Sequence, residues 1–123
     1  MTAPCIFCEI VAGRAPATVV HDWDYAMAIV PLDPVVEGHT LVLPKDHVED
    51  FTDGDDGSAL LYAFLCASRL GRDMGGPMNL ITSKGREATQ SVFHLHLHLL
   101  PRAENDGLAL PWWSGKSRKP KQA

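Results

Sequence analysis

No apolar run in the 123-residue chain approaches the roughly 20 residues of a membrane-crossing helix. Its first residues, MTAPCIFCEI, lack the basic and then apolar pattern of a secretory leader. The expectation is a cytoplasmic protein without a membrane partner. Cysteine is scarce: Cys5, Cys8 and Cys66 make an odd count with one tight pair, which argues against a disulfide framework and for metal ligation or free thiols. Basic charge is also scarce outside the extreme C-terminus. Of 11 basic residues, Lys116, Arg118, Lys119 and Lys121 fall in the last eight, so the body carries a clear excess of its 15 acidic groups. Such a surface repels nucleic acid polymers and gives no support to DNA or RNA binding as the main activity. Internal repeats are absent as well.

With 46% hydrophobic and 21% charged residues, the composition suits one small globular domain. Ile6 to Val11 reads as a short helix carrying Cys8, and Thr18 to His21 and Tyr25 to Val30 as strands around a DWD turn. His39 to Pro44 is a third strand, entered through Gly38 and ended by its proline. Ser58 can cap a helix reaching about Leu70, with Leu60, Leu61, Phe64 and Leu65 as its apolar stripe and Gly71 as its stop. Met78 to Thr82 and Val92 to Leu100 complete the strands. Because helices and strands do not alternate, the expected class is α+β: an antiparallel sheet of about five strands, one main helix and a short N-terminal helix. The domain is placed at residues 1–112, and the polar, basic segment 113–123 is read as a disordered tail. The acidic DGDDG, Asp53 to Gly57, lacks the glycine and terminal glutamate of a calcium loop and is read as a turn. Cys66 is read as a small core residue, and Trp112 and Trp113 as cover for a pocket, cover for a partner, or ordinary packing.

One stretch stands apart. In SVFHLHLHLLP, His94, His96 and His98 alternate with leucines. On an extended strand all three imidazoles share one face, about 7 Å apart along the chain, and Phe93, Leu95, Leu97 and Leu99 share the other. Histidine is both a proton carrier near neutral pH and the commonest metal ligand, so the row fits either catalysis or metal binding.

The sequence QSVFHLHLHLLPR, Gln90 to Arg102, resembles the signature of the histidine triad proteins, and the similarity extends back through GHTLVLPKDH, Gly38 to His47, to CIFCEIVAGRAPA from Cys5. It is nearest the Hint-like branch of nucleotide hydrolases and phosphoramidases, which are homodimers. What the resemblance implies is attack by His96 on the α-phosphorus of a nucleotide, giving a covalent nucleotidyl-histidine that water then cleaves. His98 would contact phosphate and aid the leaving group, with His94 and Ser91 beside it. His47, Gln90, Ser83 and Asp33 would line the substrate pocket. A zinc ion on Cys5, Cys8, His47 and His94 is the implied cofactor set, with no organic cofactor. The chemistry is sound, because a neutral imidazole is a nucleophile at pH 7 and the remaining work in phosphoryl transfer is positioning and charge stabilisation.

Three positions depart from the family pattern. Pro31 stands where a carboxylate or amide usually holds ribose, leaving Asp33 as the nearest substitute. Ser83 replaces an asparagine or glutamine near the phosphate, and Thr89 replaces a glycine. Two alternatives therefore accompany the enzymatic reading: a dinucleoside polyphosphate hydrolase, and a non-catalytic, zinc-stabilised nucleotide-binding module.

Overall fold

Trp23 closes the first hairpin, its main-chain N–H donating to the Ala26 carbonyl at 2.9 Å, between strands β1 (Val19–Asp22) and β2 (Ala26–Ile29). A computed structural model describes residues 4–54 and 57–116. Around that hairpin lie α1 (Ile6–Val11), β3 (Thr40–Pro44), α2 (Ser58–Met74), β4 (Met78–Ile81) and β5 (Leu97–Pro101). All five strands pair antiparallel in the order β1-β2-β3-β5-β4, which is the expected α+β architecture. Among the described residues, no helix is long and apolar enough to cross a membrane.

The sheet divides two apolar layers, as the two-residue period of a strand requires. Ala26, Ala28, Val42, Leu95, Leu97 and Leu99 pack with Ala63, Cys66, Ala67 and Leu70 of α2. On the opposite side Met27, Ile29, Leu41 and Leu43 pack with Phe7 of α1. Fully burying a leucine is worth about 1.5–3 kcal/mol, so the three leucines of the triad segment anchor it firmly on the α2 side. The paired residues Leu41 and His98 point to the same side, which puts His98 in the α1 layer.

Three details of the helix differ from the sequence expectation. Gly57, with φ +70°, occupies the cap position and Ser58 is the first helical residue. Gly71 does not stop the helix: a side chain there would meet the Met78 sulfur at 3.0 Å, so this glycine serves close packing, and Gly75, with φ +71°, ends the helix after Met74. The buried stripe is Ala63, Cys66, Ala67 and Leu70, while Leu61 and Leu65 are exposed. After β5, the Arg102 guanidinium bonds Asp106, Asn79 and the Leu108 carbonyl and lies 5.0 Å from the Trp113 ring. Trp113 also bridges to Leu110. Of the expected tail, residues 117–123 lie outside the described chain.

Candidate functional site

The triad segment is not one continuous strand. The ladder begins at Leu97, so the expected start at Val92 is wrong by five residues, and Ser91 to His96 run as bends and extended chain beside it. Their hydrogen bonds go elsewhere: Leu95 N–H donates to the Val48 carbonyl at 2.6 Å, and the Thr82 hydroxyl donates to the His96 carbonyl at 2.9 Å. Alternation survives in the burial of Leu95, Leu97 and Leu99. Phe93, however, is 40% exposed and does not belong to the core face, because the bend at 92–94 turns it out.

Each triad imidazole has one nitrogen occupied by a fixed partner, and that partner assigns the other nitrogen its role. The Nδ1–H of His96 donates to the His94 carbonyl at 2.8 Å, which leaves the lone pair on Nε2. For His98 the assignment passes through a second ring. The Val35 main-chain N–H donates to His39 Nδ1 at 3.1 Å, so His39 carries its proton on Nε2 and donates it to His98 Nδ1 at 2.9 Å. His98 therefore keeps its own proton on Nε2, as a donor. His94 is wired the other way: its Nε2–H donates to the Pro44 carbonyl at 2.8 Å and its Nδ1 lone pair faces the cysteines. Burial, with neighbouring histidines adding to it, pushes His98 down to about 4, and burial lowers His96 and His39 as well. Neutral imidazoles at pH 7 are thus consistent with one nucleophile and one hydrogen-bond donor side by side, the His96 and His98 rings being 5.2 Å apart.

The Nδ1 of His94 opens onto a second cluster. Cys5, Cys8, His47 and His94 bring four ligand atoms within 4.8 Å of one another. Nitrogen to sulfur distances are 3.4 Å (His94 to Cys5), 3.6 Å (His94 to Cys8) and 3.3 Å (His47 to Cys8), and the two Nδ1 atoms are 3.2 Å apart. Zinc bonds of about 2.3 Å to sulfur and 2.0–2.1 Å to nitrogen make tetrahedron edges of about 3.3–3.8 Å, so the cluster already has nearly the right size for that ion. Cys5 caps α1 and accepts the Cys8 main-chain N–H at 3.4 Å, which sets the two thiols on one side of the helix start. The Pro44 carbonyl behind His94 is the outer partner that metal-binding histidines ordinarily have. Burial, then the neighbouring Cys5 thiol, push the Cys8 thiol up to about 11, so a Cys8 thiolate here calls for a cation.

Other expected residues sit less centrally. Gln90 is buried, and its amide is committed to main chain at both ends: Oε1 accepts from Gly85 N–H at 2.8 Å, and Nε2 donates to the Glu49 carbonyl at 2.7 Å and the Val92 carbonyl at 3.3 Å. Ser91 is exposed at a cavity of about 440 Å³ that Cys5, His47 and Phe93 also line. Ser83 is half-buried, next to the Thr82 that holds His96, and Asp33 is exposed in the turn that contains Val35. Sequence reasoning missed His39, Thr82 and Phe7. His39 had a signal, since a histidine at the mouth of a strand paired with β5 lies diagonally across from His98. Thr82 and Phe7 had none.

A HIT domain family model matches residues 12–105. "Protein hit" of Bacillus subtilis is 38% identical over 113 residues, 88% of this chain and 78% of that one. The Saccharomyces cerevisiae protein named adenosine 5'-monophosphoramidase HNT1 is 35% identical, over 91% of this chain and 72% of its own length. Among solved structures, a HIT family hydrolase from Clostridium thermocellum superposes with a TM-score of 0.74 at 29% identity, covering 85% of this chain and 95% of that one.

Proposed function

Because the chain belongs to the HIT family, we propose that it is a hydrolase acting at the α-phosphorus of a nucleoside monophosphate ester, anhydride or phosphoramidate. The observation that carries this reading is the tautomer wiring, which leaves a lone pair on His96 Nε2 and a proton on His98 Nε2. His96 attacks phosphorus, forming a P–N bond as the leaving group departs with its bonding pair and takes up a proton from solvent water. The His98 N–H donates to a nonbridging oxygen as charge gathers there. Water then attacks phosphorus, the P–N bond breaks with its pair returning to His96, and the proton lost by the water passes to solvent. Support for an amine leaving group comes from the yeast relative named as a monophosphoramidase.

Cys5, Cys8, His47 and His94 hold zinc in this reading, two thiolates and two imidazoles matching its preferred donors. Bound zinc supplies a structural cross-link between α1, the segment after β3 and the triad. Ser91 lies at the leaving-group side, with Asp33 and Ser83 toward the nucleotide and Gln90 holding the intervening loop. The protein works as a cytoplasmic homodimer, an arrangement favoured by three cysteines outside any disulfide, by exposed Leu61 and Leu65 on α2, and by exposed Leu80 on the open edge strand β4.

His96→Ala tests the reaction. With an adenosine phosphoramidate as substrate, kcat falls by at least about 10³-fold and the nucleotidyl adduct seen by mass spectrometry disappears. Undiminished turnover refutes the role of His96, and an absence of turnover in the parent chain favours the binding-module alternative.

A further inference from the structure

Two contacts tie the His96 imidazole to the four-donor cluster. Phe7, only 7% exposed, lies in α1 between the capping Cys5 and Cys8 in sequence and meets two triad rings in T-shaped contacts: His94 at 5.7 Å and 85°, His96 at 5.1 Å and 78°. The main-chain carbonyl that accepts the His96 Nδ1–H hydrogen bond belongs to His94, a residue of the four-donor cluster. A six-residue helix has little stability of its own, so what holds α1 in place also holds the Phe7 ring. Its attachments are the Phe7 packing against Leu41, Leu43, Met27 and Ile29, and the reach of Cys5 and Cys8 to His47 and His94.

We infer that Phe7 is a positioning residue which, together with the His94 carbonyl, carries the occupancy of the four-donor cluster to the imidazole of His96. A cation on Cys5 and Cys8 locks the helix start where it already lies beside His94. That single constraint holds the Phe7 ring against His96 and fixes the carbonyl that orients its imidazole. The two routes act on different parts of one imidazole, the ring plane and the Nδ1–H, and together they aim Nε2. The inference rests on the reading of His96 as nucleophile and of the cluster as a zinc site.

The test uses the full chain with ¹⁵N-labelled histidine, compared at pH 7 after chelator stripping and after reloading with zinc chloride. In the loaded chain His96 gives one sharp set of ring signals, protonated at Nδ1; stripping broadens or splits that set. Phe7→Leu keeps zinc affinity within about threefold by chelator competition, yet leaves the His96 signals broad when loaded and lowers kcat about tenfold with KM within about twofold. Phe7→Tyr restores the sharp signals. His96 signals that are the same in the stripped and loaded chain, a Phe7→Leu variant matching the parent, or failure to take up zinc each overturn the inference. If Phe7→Leu does not fold, the stripped and loaded parent chain decides. Sharpening on zinc without turnover of any nucleotide refutes the hydrolase and upholds the coupling.

Discussion

The two halves of the triad segment are held by different forces. From Leu97 to Pro101 the chain is a central strand, with β3 on one side and β4 on the other. From Ser91 to His96 it has no ladder, and its conformation rests on the Gln90 amide, the Val48 carbonyl, the Thr82 hydroxyl and the Cys/His cluster. His98 thus stands on a rigid element, whereas His94 and His96 stand on a stretch whose geometry is made by side chains. The lesson is that identical residues at regular spacing are not interchangeable. What separates them is the partner on each ring's other nitrogen, a main-chain carbonyl for His94 and His96 and a second histidine for His98.

The comparison breaks most sharply if the flanking histidines are exchanged in role. His98→Asn should lower kcat by about 10²–10³-fold, the scale of a lost oxyanion donor, while leaving zinc content and the unfolding midpoint close to the parent. His94→Ala should show the converse order of effects: loss of tight zinc binding and about 2–4 kcal/mol of stability, because it opens a buried site and orphans the Pro44 carbonyl. Denaturant unfolding with metal analysis separates the two. If His94→Ala kept both zinc and stability, the ladder-free half would need no cluster to hold it.

A pH titration of stability probes the ladder half. Burial holds His98 at about 4 against its ordinary 6.5, so between those values the unfolded chain binds the extra proton. Stability from this group is complete above 6.5 and falls progressively toward pH 4. The unfolding midpoint of the parent should drop across that window more steeply than that of His98→Asn. Equal slopes would mean that His98 is charged in the folded protein, contrary to its role as a neutral link from His39.

Much of this arrangement was legible in advance. The helix Ile6–Val11 carries the residues expected of it, and each of the five strands overlaps a segment read as a strand. The four-donor cluster, by contrast, joins residues 89 positions apart in sequence, and only the family resemblance brought them together. The role of Gly71 was misread because a glycine that ends a helix and one that admits a neighbouring methionine look alike in sequence. Nor could the chain from Val35 through His39 to His98 be read from spacing, since a ring nitrogen's partner is set by tertiary geometry.

The smallest effect concerns the approach to the ladder-free half. Thr89 has φ +75° and ψ +18°, left-handed backbone that a β-branched residue adopts only under strain. It ends the 3₁₀ turn Arg86–Ala88, its N–H donating to the Arg86 carbonyl at 2.9 Å, and it delivers the chain to the buried Gln90 clamp. The surrounding bonds therefore impose the conformation on an unsuited residue. Relief of left-handed strain is worth about 1–2 kcal/mol, and the added freedom of glycine in the unfolded chain returns part of it. Thr89→Gly should accordingly stabilise the protein by about 0.5–1 kcal/mol in denaturant unfolding, with the His96 ring signals unchanged. A destabilising Thr89→Gly would show that the threonine side chain itself supports the lead-in, and that the ladder-free half depends on one more side chain than the Gln90 clamp.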